Sequence, residues 1–313
     1  MQHVLDLLIY GLTTSSATWI GLVFVFGLMI GSFLNVVIHR VPIMLDREWK
    51  DQARQILTDD KDPQLKPDAQ PNSQSQYNLF VPRSACPKCG ALITASQNIP
   101  VISYLFLKGK CAKCGTKISP RYPVVELATA VLSAAVAWKF GFHWYAGAAL
   151  LLTWFLVALT VIDFDTQLLP DNMTLPLVWI GLVISLAPAD PRIGLPVDAH
   201  SSIIGAVAGY LSLWSVYWAF KLFTGKEGMG YGDFKLFAAL GAWLGWKMLP
   251  LIILLSAFTG AAVGIALIVV RGRDRNIPIP FGPYLAAAGW IALMWGDQII
   301  GTYLHMSGFG PRM

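Results

Sequence analysis

Four cysteines and six acids are the residues of this sequence whose types and spacing can do chemistry. The cysteines fall in one short stretch, as Cys86-Pro87-Lys88-Cys89-Gly90 and Cys111-Ala112-Lys113-Cys114-Gly115. Each is a CxxC knuckle followed by a glycine that permits the tight turn two thiolates need to face one ion. Four sulfurs close a tetrahedral site with no open position, so the expected metal is a structural Zn2+ on Cys86, Cys89, Cys111 and Cys114. A loop with so little core would draw its stability from that metal. The bland alternatives are two redox dithiols or cysteines without a role. Lysines near a zinc ribbon can suit nucleic acid, but membrane topology and anionic lipid account for them equally, and no nucleic-acid partner is expected.

The acids are Glu126, Asp163, Asp165, Asp171, Glu227 and Asp233, all inside or at the edge of apolar runs. Ionisable groups are costly there and become functional candidates by default. Peptide hydrolysis by two carboxylates needs one protonated and one ionised, and close like charges arrange this by sharing a proton. Asp163 ends one apolar run. Asp233 opens another, behind Gly228-Met229-Gly230-Tyr231-Gly232, whose glycines allow close backbone approach. The residues alone do not choose among Asp163, Asp165 and Asp171 as its partner. Asp171 follows Pro170 and suits a helix N-cap, and Asp165 is expected to be wet. A lone acid at the end of a span is more often a cap or an ion-pair partner than a catalyst.

The elements that must position these groups are membrane helices. Hydrophobic residues make up 55% of the 313 residues and charged ones only 13%, about half the charged share of soluble chains. Eight apolar stretches are candidate spans: Trp19–Val37, Val124–Gly141, Trp144–Ile162, Met173–Leu186, Ser202–Phe220, Leu236–Trp246, Leu249–Val270 and Tyr284–Trp295. Three of them, Met173–Leu186, Leu236–Trp246 and Tyr284–Trp295, are short. No Lys or Arg precedes the first span, which reads as a retained anchor rather than a cleaved signal.

Thirteen of the 23 Lys and Arg lie between Arg40 and Arg121, which places that stretch in the cytoplasm and the N-terminus outside. Counting onward puts Lys221, Lys226, Lys235, Arg271, Arg273 and Arg275 inside, with Lys247 a single exception, and all six acids on the cytoplasmic side. The fold expected is an all-α polytopic membrane protein of about eight transmembrane helices with a cytoplasmic zinc-ribbon-like loop. Its parts would be an anchor over 1–39, a cytoplasmic loop with the four-cysteine zinc module over 40–122, and a seven-helix membrane core over 123–313. Asp51–Gln76 reads as a flexible linker, and Asp46–Leu57 as an amphipathic helix near the membrane with Trp49 as an interfacial anchor.

On these residues the chain closely resembles the type IV prepilin peptidases, a family of bifunctional leader peptidases and N-methyltransferases. The resemblance rests on Gly31-Ser32-Phe33-Leu34-Asn35-Val36-Val37, the paired CxxC knuckles, Arg121-Tyr122-Pro123-Val124-Val125-Glu126, Asp163–Asp171, Gly230-Tyr231-Gly232-Asp233 and Pro280-Phe281-Gly282-Pro283. It implies that Asp163 and Asp233 are the catalytic pair of a bacterial inner-membrane aspartyl peptidase. It implies cleavage of prepilins and pseudopilins of type IV pilus assembly and type II secretion, after the glycine that ends a basic leader. It also implies methylation of the new N-terminal residue, usually Phe, with S-adenosylmethionine as donor.

The residues themselves say less about methyl transfer. No strand-led glycine-rich fingerprint is present, and Arg121 and Glu126 suit an interfacial ion pair as well as a donor site. Pro280-Phe281-Gly282-Pro283 fits either a substrate-facing turn or a helix entry. Membrane lipid is an expected partner. The rivals from other classes are a proton-coupled transporter with an accessory zinc loop, which would move a solute and cut nothing, and a membrane-anchored zinc scaffold, which would tolerate loss of both aspartates.

Overall fold

A computed structural model describes residues 16–59, 77–226, 228–271 and 279–308. Among these residues the chain is helical, with isolated β-bridges and no strand. All eight apolar stretches fall on helix: α1 (Ser16–Asp59), α3 (Arg121–Phe140), α4 (Trp144–Thr166), α5 (Asp171–Ile184), α6 (Ala199–Thr224), α7 (Tyr231–Leu244), α8 (Leu249–Arg271) and α9 (Gly282–Met306). The short α2 (Ile102–Phe106) lies in the cysteine-bearing segment.

Among the described residues five helices are long and apolar enough to cross a membrane: Ser16–Ile56, Arg121–Phe140, Trp144–Thr166, Ala199–Thr224 and Trp246–Val270. Helices α5 and α7 have 14 residues each. At 1.5 Å per residue each is about 21 Å long, short of a hydrocarbon core of about 30 Å. These two short helices carry the segments around Asp171 and Asp233.

The helix expected over Asp46–Leu57 is present as the end of α1, which runs unbroken from the first span to Asp59 with Pro42 inside it, and this corrects the flexible linker expected from Asp51: Asp51–Asp59 is helix. The stretch after Val37 holds few helix breakers, and Asp46–Lys50 (2.6 Å) and Asp51–Arg54 (3.4 Å) pair one turn apart along it. Residues 60–76 of the expected linker, Glu227, Arg273 and Arg275 lie outside the described residues.

Packing divides the chain into two compact units, residues 25–130 and residues 1–24 with 131–313. In the first, α1 crosses the start of α3 at Gly31, where a Cβ would stand 2.6 Å from Glu126 Cα. Asn35 Nδ2 donates to the Tyr122 carbonyl (3.1 Å) across the same crossing. Further along, buried Arg40 donates to the Asn78 carbonyl (2.8 Å) and the Pro82 carbonyl, and Arg47 lies 4.1 Å over the Tyr77 ring.

In the second unit α7 is the central helix, packed against α5, α6 and α9. It is buried on every side from Phe234 to Leu244, save the half-buried Lys235, as befits a helix apolar all round. It meets α6 backbone to backbone at Gly205 and Gly241, where any side chain would collide with the opposing carbonyl. Capping sets the far helix starts: His143 accepts from the Tyr145 amide and Asp198 from the Ser201 amide. Between them, hydrogen bonds from Arg192 hold the Asp190 carboxyl well below the usual carboxylate range, and His143 Nε2 lies 3.1 Å from it.

Candidate functional site

The two cysteine knuckles have the same backbone design. The amides of Gly90 and Gly115 donate to the carbonyls of Cys86 and Cys111, each 2.9 Å. The amides of Cys86 and Cys111 donate to Ala91 and Thr116 (2.9 and 2.8 Å), and β-bridges Ala85–Leu92 and Lys110–Lys117 close the two hairpins. Gly90 and Gly115 have φ of +68° and +67°, the left-handed conformation that lets each turn fold back onto its sulfurs.

All four sulfurs lie within 4.8 Å of one another, and Cys86 Sγ is 3.8 Å from Cys114 Sγ. Tetrahedral coordination with metal–sulfur bonds of about 2.3 Å puts sulfurs about 3.8 Å apart, so the cluster fits one ion. The thiols shift in opposite directions. Hydrogen bonding with the side chain and backbone of Thr116 lowers Cys114 to about 6. The Ala91 amide favours the Cys89 thiolate, but lost hydration and the neighbouring sulfurs outweigh it and push that thiol up to about 11. Four crowded sulfurs resist becoming four thiolates, and a cation removes that conflict. The described residues therefore hold a group of four cysteines able to bind a metal ion.

The second cluster is built from three distant segments. Asp163 is buried in the last turn of α4, which ends where Gln167 turns left-handed (φ +52°) and donates to the Asp163 carbonyl (2.9 Å). The chain then reverses through Leu168-Leu169-Pro170 into α5. Asp233 is buried in the first turn of α7, its amide donating to the Gly230 carbonyl. The third segment is the start of α9, where the Gly282 amide donates to Asp163 Oδ2 (3.0 Å).

Leu169 is the common neighbour of these segments. A Cβ on Gly232 would meet Leu169 Cβ at 2.6 Å, and one on Gly282 would meet Leu169 Cδ1 at 3.0 Å and Asp163 Oδ2 at 2.6 Å. Glycine at both positions is thus what lets the carboxylate-bearing turns close around Leu169. Both aspartates are buried, and Asp233 Oδ1 has no hydrogen-bond partner among the described residues. Two buried carboxylates held close together can share one proton and face a water or a carbonyl.

The other sequence candidates separate. Asp165 is exposed, one face away from Asp163 on the same helix. Asp171 does not occupy the N-cap expected of it. Pro170 holds that position, Asp171 is the first residue of α5, and its carboxylate pairs with Lys235 Nζ at 2.6 Å. Glu126 is buried and accepts from the Val101 amide (2.7 Å) and from Ser32. Glu227 lies outside the described residues. Pro280-Phe281-Gly282-Pro283 is the entry to α9, and it is also what aims the Gly282 amide at Asp163. Sequence reasoning missed that donor and Leu169. The only signal available was a glycine held between aromatic and proline neighbours at a helix start.

Comparison with known proteins separates the same two regions. Residues 25–140, which include all four cysteines, match a family described as the bacterial peptidase A24 N-terminal domain. Residues 150–265, which include both buried aspartates, match the type IV leader peptidase family. The chain is 56% identical over 283 residues to a prepilin leader peptidase/N-methyltransferase of Pseudomonas aeruginosa, covering 90% of this chain and 92% of that protein. It is 58% identical over 286 residues to the protein of that name from Aeromonas salmonicida (91% and 94%), and 49% identical over 279 to that from Neisseria gonorrhoeae (88% and 90%). No solved structure matches the chain.

Proposed function

The chain belongs to the type IV leader peptidase family, and we propose that it cleaves the leader from prepilins and methylates the amine so released. Cleavage follows a glycine at the end of a basic leader, in pseudopilins as well as prepilins. Asp163 and Asp233 carry the hydrolysis. The observation that supports this most directly is that the Gly282 amide at the start of α9 holds Asp163 while Gly282 and Gly232, the residue before Asp233, both close on Leu169.

One carboxylate takes a proton from water as its oxygen adds to the scissile carbonyl carbon, while the other gives its proton to the carbonyl oxygen. Collapse of the diol breaks the C–N bond, and a proton passes to the leaving nitrogen. The products are a leader ending in a carboxylate and a mature chain with a free amine. The Gly282 amide fixes Asp163 throughout, so its oxygens need not reorganise.

Cys86, Cys89, Cys111 and Cys114 hold Zn2+ in a closed tetrahedral site, which supplies structure rather than a reactive position. S-adenosylmethionine, when bound, supplies an electrophilic methyl group for the new amine. No glycine-rich fingerprint follows a strand among the described residues, so no transfer residue is assigned. The protein lies in the bacterial inner membrane with the cysteine loop and both aspartates on the cytoplasmic side. Residues 1–39 anchor it, 40–122 form the loop, and 123–313 form the peptidase core, about eight helices being membrane-embedded in all.

The test is cleavage of a peptide carrying a basic leader, Gly, Phe and an apolar helix by the detergent-purified protein, followed by mass spectrometry. The wild type cuts after Gly and Asp163→Asn and Asp233→Asn do not. Cleavage in all three would move the chemistry to other residues.

A further inference from the structure

Residues 77–120 contain six cations (Arg83, Lys88, Lys108, Lys110, Lys113 and Lys117) and no Asp or Glu. Within this stretch α2 has two opposite faces. Its inner face is fixed: Tyr104 Oη donates to the Ile118 carbonyl (3.4 Å), and Gly109 closes against the Tyr104 ring. Its outer face carries Ile102, Leu105 and Phe106, spaced i, i+3, i+4, and these are 48%, 67% and 83% exposed. Lys108 and Lys110 follow directly, both exposed. Large apolar side chains grouped this way beside cations mark an interaction surface rather than a solvated one.

The depth of this face is set by Glu126. That residue lies five steps into the α3 span, about 8 Å from its start at Arg121. Its carboxylate accepts from the Val101 amide at 2.7 Å, immediately before α2. Val101 takes a left-handed φ of +58°, rare for a β-branched residue, so the loop is held in an unusual conformation where it meets the span. The module is thereby tied to the first turns of α3.

We propose that the outer face of α2 is a docking surface for an anionic bilayer. Ile102, Leu105 and Phe106 enter the interfacial layer, and Lys108 and Lys110 meet the phosphate headgroups. Charge decides the occupant: a stretch with six cations and no acid fits an anionic lipid surface and repels the basic leader of a substrate. The inference rests on Arg121–Phe140 spanning the membrane and is independent of which residues perform the hydrolysis. Docking would keep the metal module beside the bilayer, where the new amine of an apolar substrate emerges.

The test is hydrogen exchange, read by mass spectrometry, of peptides covering residues 99–110 in the full chain. The chain is placed in nanodiscs of phosphatidylcholine alone or with phosphatidylglycerol. Exchange should be severalfold slower with phosphatidylglycerol, and added salt should narrow the gap. The double variant Leu105→Ser/Phe106→Ser should lose the protection while keeping its metal content and cleavage. Equal exchange in the two lipids, with Trp144–Thr166 protected in both, would overturn the proposal alone. So would a double variant as protected as its parent, or protection that appears only when prepilin peptide is added to neutral nanodiscs. Loss of cleavage in the wild type with the lipid effect intact would instead overturn the functional reading.

Discussion

The cysteine module and the aspartate core both bring together groups that repel one another, and they do it by opposite means. Each cysteine pair is presented by a hairpin whose hydrogen bonds span five residues, from Cys86 to Ala91 and from Cys111 to Thr116. The aspartates are presented by helices far apart in sequence, and the donor that orients one of them lies 119 residues away. The sulfurs are partly exposed and suited to a cation, whereas the carboxylates are buried and suited to a shared proton. A local site is vulnerable to loss of a ligand. A site assembled over distance is also vulnerable to anything that spoils packing around it.

Four substitutions probe that contrast. Asp233→Asn should have the largest effect, a fall in cleavage of about 10³-fold or more, since an amide can neither take nor give the shared proton. Metal content should stay at the wild-type level, and a parallel loss of metal would mean that the core and the module are not separable.

Gly282→Ala comes next. A Cβ there would sit 2.6 Å from Asp163 Oδ2, so the carboxylate must move. A displacement of about 1 Å predicts about a 10²-fold loss in kcat with little change in KM. Normal turnover in this variant would show that the close approach at α9 does not matter to the chemistry.

Cys86→Ser addresses the other region. The bound metal measured by elemental analysis should fall sharply and proteolysis of residues 77–120 should quicken, while cleavage stays within severalfold of wild type. A strong fall in cleavage would make the metal module part of the hydrolytic site.

Lys235→Met should have the smallest effect. Its side chain is 23% exposed and that of Asp171 is 58% exposed, so the pair contributes less than about 1 kcal/mol, visible as a small drop in Tm and about a twofold change in rate. A larger loss would give this surface pair a part in holding the Asp233 turn.

The same contrast explains what the sequence made legible. Both knuckles could be read outright, because two thiols and a glycine within five residues contain nearly all the information the turn needs. The acids could be gathered but not ranked. Asp163, Asp165 and Asp171 differ in burial because of helix phase and pairing: residues two apart on α4 face opposite ways, and Asp171 is drawn to Lys235, 64 residues further on. Resemblance, not spacing, singled out Asp163 with Asp233.

All eight apolar runs read from hydropathy fall on helices, and among the described residues five helices have the length and apolarity of a span while α5 and α7 are shorter. Apolarity stops near Val37, but the backbone hydrogen bonding of α1 continues through a polar stretch that pairs its own charges. The Gly282 amide was invisible for a simpler reason: a backbone donor has no side-chain signature.

Cleavage and methylation can be followed together in one reaction containing the prepilin-like peptide, S-adenosylmethionine and either wild type, Asp163→Asn or Cys86→Ser. Mass spectrometry separates uncut, cut, and cut-and-methylated chains. Only uncut peptide is expected with Asp163→Asn, and cut peptide with Cys86→Ser. Cut peptide in the Asp163→Asn reaction, or uncut peptide in the Cys86→Ser reaction, would be incompatible with a two-aspartate peptidase core separate from a metal-stabilised module.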